Sequence, residues 1–158
     1  MFEIAQAFGA VSSALLTPAI AVVTTYIAVR QHLDNRLKLN LDRYDRRLAV
    51  YKVVMQFLQN VASAAKVSIE DIRQLNLGTA EVSFLFGKDL TAYIDEIRKH
   101  GIALFAANAQ YRDMNASLPT PPNYDHLATI NSMHDELLWM HNQYDEATLK
   151  FGKYLRLS

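Results

Sequence analysis

The feature that most constrains this chain is an uncharged, mostly apolar stretch over residues 4–29. Within it, residues 8–29 read FGAVSSALLTPAIAVVTTYIAV, 22 positions without a charge. As an α-helix rising 1.5 Å per residue they would reach about 33 Å, the hydrocarbon thickness of a bilayer. The polar members Ser12, Ser13, Thr17, Thr24 and Thr25 can return their hydroxyls to the helix's own carbonyls, and Pro18 would bend the span. The stretch predicts a single transmembrane helix over residues 1–30.

The charges on either side give that helix a direction. Only Glu3 and the α-amino group precede it, whereas Arg30, Arg36, Lys38, Arg43, Arg46, Arg47 and Lys52 follow, against Asp34, Asp42 and Asp45. Short basic flanks stay inside. The expectation is therefore a single-pass protein of the cell inner membrane, N-terminus outside, with residues 31–158 as a cytoplasmic helical domain in contact with membrane lipids. A cleaved signal peptide fits less well, because its positive region should come before the apolar run. An interfacial helix lacks the charged face it would need, and burial in a protein core is the remaining alternative.

Beyond Val29 the pattern becomes amphipathic. Leu37, Leu41, Tyr44, Leu48, Tyr51, Met55, Leu58, Ala62 and Ala65 alternate at spacings of 4 and 3, the seam of four heptads. No Pro or Gly falls between Pro18 and Gly78, so one continuous helix is expected to about Lys66. Ser68 and Asp71 have the spacing of a capping box, predicting a short helix that Gly78 ends. Val82, Phe84, Leu85 and Phe86 then form a concentrated apolar corner that plugs the bundle, with Gly87 giving freedom to enter the next helix.

A second long helix is predicted over residues 88–116, its inner face Leu90, Tyr93, Ile94, Ile97, Leu104, Ala107 and Tyr111. Gly101 interrupts that face, which points to a close helix crossing. The segment SLPTPPNYD over residues 117–125 is a loop, since its three prolines cannot stay helical. A third helix follows over residues 124–155 with Met133, Leu137, Met140, Tyr144, Ala147, Phe151 and Tyr154 inward. The fold class expected is all-α, a transmembrane helix continuing into a cytoplasmic antiparallel three-helix bundle of up-down-up order.

Reactive chemistry is sparse. With 16 basic and 16 acidic residues there is no net field to attract nucleic acid. Cysteine is absent, which excludes disulfides and thiolate ligands. No phosphate-cradling glycine pattern, HExxH or paired Glu-x-x-His occurs. The nearest metal constellation is His134, Glu136, His141 and Asp145, where His141 and Asp145 share a helix face but Glu136 does not. These four are assigned to helix contacts or solvent, so no catalytic, cofactor-binding or metal residue is expected, and no small-molecule substrate. Arg43, Arg46 and Arg47 read as a solvated face, and Trp139 as burial against a neighbouring helix.

The run Leu41-Asp42-Arg43-Tyr44-Asp45-Arg46-Arg47-Leu48-Ala49-Val50-Tyr51, with Phe57-Leu58, Phe84-Leu85-Phe86-Gly87 and Tyr93-Ile94-Asp95-Glu96-Ile97, resembles a group of small, uncharacterised bacterial and phage-associated membrane-anchored helical proteins. Their shared stretches are "YDRRLxVY" on the helix leaving the membrane and "FLFG" at a corner, and the resemblance covers residues 8–97. It implies an anchored helical architecture and no catalytic residues. The function expected is a non-enzymatic, membrane-anchored interaction or scaffold module. Its partner is another protein or a second copy, met at Phe84 to Phe86 or at Pro119 to Pro122. The alternative is a membrane-active effector or small pore-former in conflict between bacteria and phage.

Overall fold

The computed structural model describes residues 2–112 and 122–156, the side chains of residues 2–19 excepted. Five helices are present among the described residues: α1 (Phe2–Ala64), α2 (Ile69–Gly78), α3 (Val82–Leu85), α4 (Lys88–Gln110) and α5 (His126–Gly152). The chain divides into two units, Met1–Asp42 and Arg43–Ser158. α1 contributes to both, continuing without a break as the lack of Pro and Gly after Pro18 predicts.

Among the described residues no helix is long and apolar enough to cross a membrane. This overturns the expected transmembrane anchor, and with it the inner-membrane topology, the lipid partner and the pore-forming alternative. The uncharged run, residues 4–29, lies within α1. Arg30, His32, Asp34, Arg36 and Lys38 follow at once. Thr24 donates to the Ile20 and Ala21 carbonyls at 2.9 and 3.0 Å, and Thr25 to Ala21 at 2.8 Å, so both hydroxyls are spent on the helix itself. The expected roles of Ser12, Ser13 and Thr17 and the bend at Pro18 lie outside the residues whose side chains are described.

The second unit is a bundle of four helices rather than three. α2 supplies the extra wall: the Ser68 hydroxyl accepts from the Asp71 N–H at 3.1 Å while Asp71 accepts from the Ser68 N–H at 2.9 Å, the expected capping box. The helix it starts buries Ile72 and Leu75 in the core. Contacts fix the directions. Asn60 meets Asp71 and Val53 meets Gly78, so α2 runs back along α1. Phe57 meets Gly101 and Asn108 accepts from the Val67 N–H, so α4 runs parallel to α1. Tyr93 reaches the Gln143 carbonyl and His100 meets Glu136, so α5 returns antiparallel to α4. The order is up-down-up-down, because α2 and α3 together make the return that the three-helix expectation gave to the second long helix.

The core joins Val50, Val54, Phe57, Leu58 and Val61 of α1 to Leu90, Ile94, Ile97 and Leu104 of α4 and to Met140, Ala147 and Phe151 of α5. On α1 the buried row is Val50, Val54, Phe57 and Val61, one step around from the expected heptad seam, of which Leu58 is buried as well. Tyr51 and Met55 of that seam are only half buried, and Ala62 and Ala65 are exposed. Both rows have spacings of 4 and 3, and only the packing of α2 and α4 selects between them. The expected face of α4 is buried from Leu90 to Ala107, Gly101 included, while the helix stops at Gln110 and Tyr111 is exposed. A Cβ on Gly101 would lie 2.8 Å from Phe57 Cζ and 3.6 Å from Met140 Cε, the close crossing that an interior glycine signals.

Candidate functional site

Arg47 is the most engaged of the basic residues after the apolar stretch. Its Nε donates to the Leu85 carbonyl at 3.0 Å and its Nη1 to the Tyr154 carbonyl at 3.2 Å. Its guanidinium also lies 5.8 Å from the Phe86 ring centre and 5.6 Å from that of Tyr154. The planar fork thus ties α1 to the α3–α4 corner and to the end of α5, which one ammonium could not do. The solvated face expected for Arg47 is corrected accordingly. Arg46, by contrast, makes only an exposed pair with Glu81 at 3.3 Å.

The apolar corner is likewise split between two roles. Val82 and Phe86 are buried, and Phe86 packs edge-on against Phe151 and Tyr154 at 5.5 and 5.3 Å. Phe84 points away and is 88% exposed, so the two phenylalanines do not line one groove. Gly87 has φ −75, within reach of any residue. Its requirement is space: a Cβ there would stand 2.6 Å from Tyr154 Oη. The Tyr154 hydroxyl donates to Asp89 at 2.7 Å, and this bond is the main cause that lowers the Asp89 pKa and raises that of Tyr154. The two stretches YDRRL and FLFG therefore meet at one structural clasp.

The residues weighed for metal chemistry do not converge. Among the described residues no group of three His, Cys, Asp or Glu side chains could hold a metal ion. His134, His141 and Asp145 are exposed. Glu136 instead faces α4, where His100 Nδ1 lies 2.6 Å from its Oε2, and the His100 ring stacks on Trp139 with centres 3.6 Å apart. Sequence reasoning missed His100; the available signal was Glu136 and Trp139, three apart and hence on one face of α5. Tyr93 donates to the Gln143 carbonyl at 3.2 Å, and burial is the chief cause that raises its pKa. His100, Glu136 and Tyr93 are thus used between α4 and α5.

A cleft of about 260 Å³ between α1 and α2 is lined by Lys52, Gln56, Asn60, Asp71 and Gln74 over Val53, Phe57 and Leu75. Its polar edge is closed on itself, with Gln56 donating to Asn60 at 2.8 Å and Asn60 to Asp71 at 3.1 Å. Burial works against the Asp71 carboxylate, but the bonds from Ser68 and Asn60 outweigh it and hold its pKa below the ordinary 3.8. At the far end of α4, the Arg112 N–H donates to the Tyr124 hydroxyl at 2.9 Å. The proline-loop contact surface expected at Pro119 to Pro122 falls largely on residues 113–121, outside the described residues.

The largest uncovered feature is on α1 ahead of the bundle. Ile20, Val22, Val23, Tyr26, Ile27, Val29, Leu33, Leu37, Leu39 and Leu41 are all exposed. Scattered apolar residues on a surface are ordinary, but nine of these ten, all except Leu39, fall on one half of the helix circumference, a concentration of the kind that marks an interaction site. Beside them, Arg30 donates to the Tyr26 hydroxyl at 3.3 Å. No protein-family model, curated protein or solved structure matches this chain.

Proposed function

We propose that this chain is a non-catalytic helical association module that binds another protein chain through α1. The observation that carries the reading is the exposed apolar patch of residues 20–41, set beside a bundle whose own core is complete. A helix without tertiary packing is marginal in water, and most helical stability in proteins comes from burying an apolar face. Covering that face supplies the missing packing.

The absence of catalysis is supported by where the reactive groups are spent. His100, Glu136 and Tyr93 hold α4 to α5, and Asp71 caps α2. Native mass spectrometry of the full-length chain tests the reading. Assemblies above 17.9 kDa, either multiples of the chain or a retained partner, are expected. A bare monomer at every concentration contradicts it, as would an enzymatic activity abolished by replacing His134, His141 or Asp145.

A further inference from the structure

We propose that the cleft between α1 and α2 binds a small monocarboxylate, with the carboxylate on Lys52 and the apolar part resting on Phe57 and Leu75. The site is separate from the apolar patch of residues 20–41 and goes beyond the association reading. All of its lining residues lie in the second unit.

Two close contacts bound the cleft, and a third keeps it open. At one end α1 and α2 approach until a Cβ on Gly78 would stand 2.6 Å from Val53 Cγ2. At the other end Asn60 donates to Asp71 at 3.1 Å. Between them the Phe57 ring reaches toward α4, its Cζ 2.8 Å from where a Gly101 Cβ would be, so it does not fill the space beside α2. Gln56 of α1 and Gln74 of α2 stay exposed at the rim. The space left is about 260 Å³, with an apolar floor and a few polar groups around it, the usual makeup of a ligand pocket. Pockets for drug-sized ligands run about 300–1,000 Å³, so this one suits a smaller molecule.

Charge selects the ligand. Lys52 is exposed, and the positions one turn away on α1 are Leu48, Ala49, Met55 and Gln56, none of them acidic. Other bases of the bundle are matched: Arg46 with Glu81, Arg73 with Glu70, Arg98 with Asp95 and Lys150 with Glu146. Among the described residues no ion pair uses Lys52. The one acid of the cleft, Asp71, already accepts from the Ser68 N–H, the Ser68 hydroxyl and Asn60. Its carboxylate opposes a second negative charge in the same small space, which favours a monoanion over a phosphate dianion. The amides of Gln56 and Gln74 offer donors and acceptors for one further polar group.

A free small acid and the C-terminal residue of a polypeptide both carry this chemistry. Hexanoate represents the first and N-acetyl-leucine the second. Each is titrated into the full-length protein while backbone amide chemical shifts are followed. At least one should saturate, with a dissociation constant on the order of 0.1–1 mM and shifts centred on the cleft. Tighter binding of hexanoate assigns the site to free acids, and tighter binding of N-acetyl-leucine assigns it to polypeptide ends. Lys52→Met should weaken the better acid about tenfold or more, because a bond to a charged group is lost. The uncharged amide of that acid should bind the native chain as weakly. Arg73→Met, which removes an exposed base outside the cleft, should leave binding unchanged, and circular dichroism checks that both variants stay folded. Shifts that saturate with neither acid overturn the proposal. So does equal binding by Lys52→Met or by the uncharged amide, and none of these results touches the association reading.

Discussion

Replacing Gly101 with alanine sets two effects of known size against each other. In an ordinary helix interior, alanine is about 1 kcal/mol more favourable than glycine. Here the added Cβ would stand 2.8 Å from Phe57 Cζ, and Phe57 is itself buried between α1 and α4. Reaching ordinary carbon contact requires about 1 Å of movement from the Phe57 ring, and overpacking of this kind costs about 1–3 kcal/mol. The net expectation is a loss of about 1 kcal/mol, or a fall of roughly 2–4 °C in Tm for a chain of this size. Urea unfolding followed by circular dichroism measures it. In a Phe57→Leu background the same alanine should become stabilising, because the blocking ring atom has gone. A Gly101→Ala chain that gains the full helix-propensity term without Phe57→Leu would refute the close crossing.

Three further outcomes follow from individual side chains. Arg47→Lys should cost about 1–2 kcal/mol because a single ammonium cannot serve both the Leu85 and Tyr154 carbonyls, whereas Arg46→Ala, which breaks one exposed pair, should stay within about 0.5 kcal/mol by chemical denaturation. Ala65 directly follows α1 with φ 51, a left-handed conformation that favours glycine, so Ala65→Gly should raise the unfolding free energy by about 0.5–1 kcal/mol. Asp71 has its pKa lowered in the folded state, so its contribution is complete above the ordinary value of 3.8 and is lost as pH falls through the lowered value. Asp71→Asn should therefore flatten the acid limb of a stability-versus-pH curve below 3.8, and an unchanged limb would remove the carboxylate from the capping box.

Much of the bundle was legible because its signals are local. The Ser68–Asp71 box, the inner face from Leu90 to Ala107 and the glycine at the crossing each depend on a few neighbouring residues and one helical period. The errors came from choices that only tertiary packing makes. On α1, Tyr51, Met55, Leu58 and Ala62 form as good a 4-and-3 row as Val50, Val54, Phe57 and Val61, and packing buries the whole second row but only Leu58 of the first. Counting α2 as a corner rather than a wall reversed the direction of α4, since one extra return changes the parity of the bundle. Arg47 read as solvated because its partners are carbonyls at residues 85 and 154, to which sequence spacing is blind. The uncharged run was weighed over residues 8–29 as a span; its described portion is an exposed apolar helix face that gives way to charges at Arg30.

The central claim is that residues 20–41 of α1 are covered by another chain, and hydrogen–deuterium exchange on the full-length protein tests it most directly. An uncovered helical segment opens easily, so its amides exchange far faster than those of a packed core. The account predicts that residues 20–42 exchange more slowly in the native chain than in Leu33→Asp/Leu37→Asp, while α4 over Lys88–Gln110 is protected equally in both. Equally fast exchange of residues 20–42 in the two chains would contradict it.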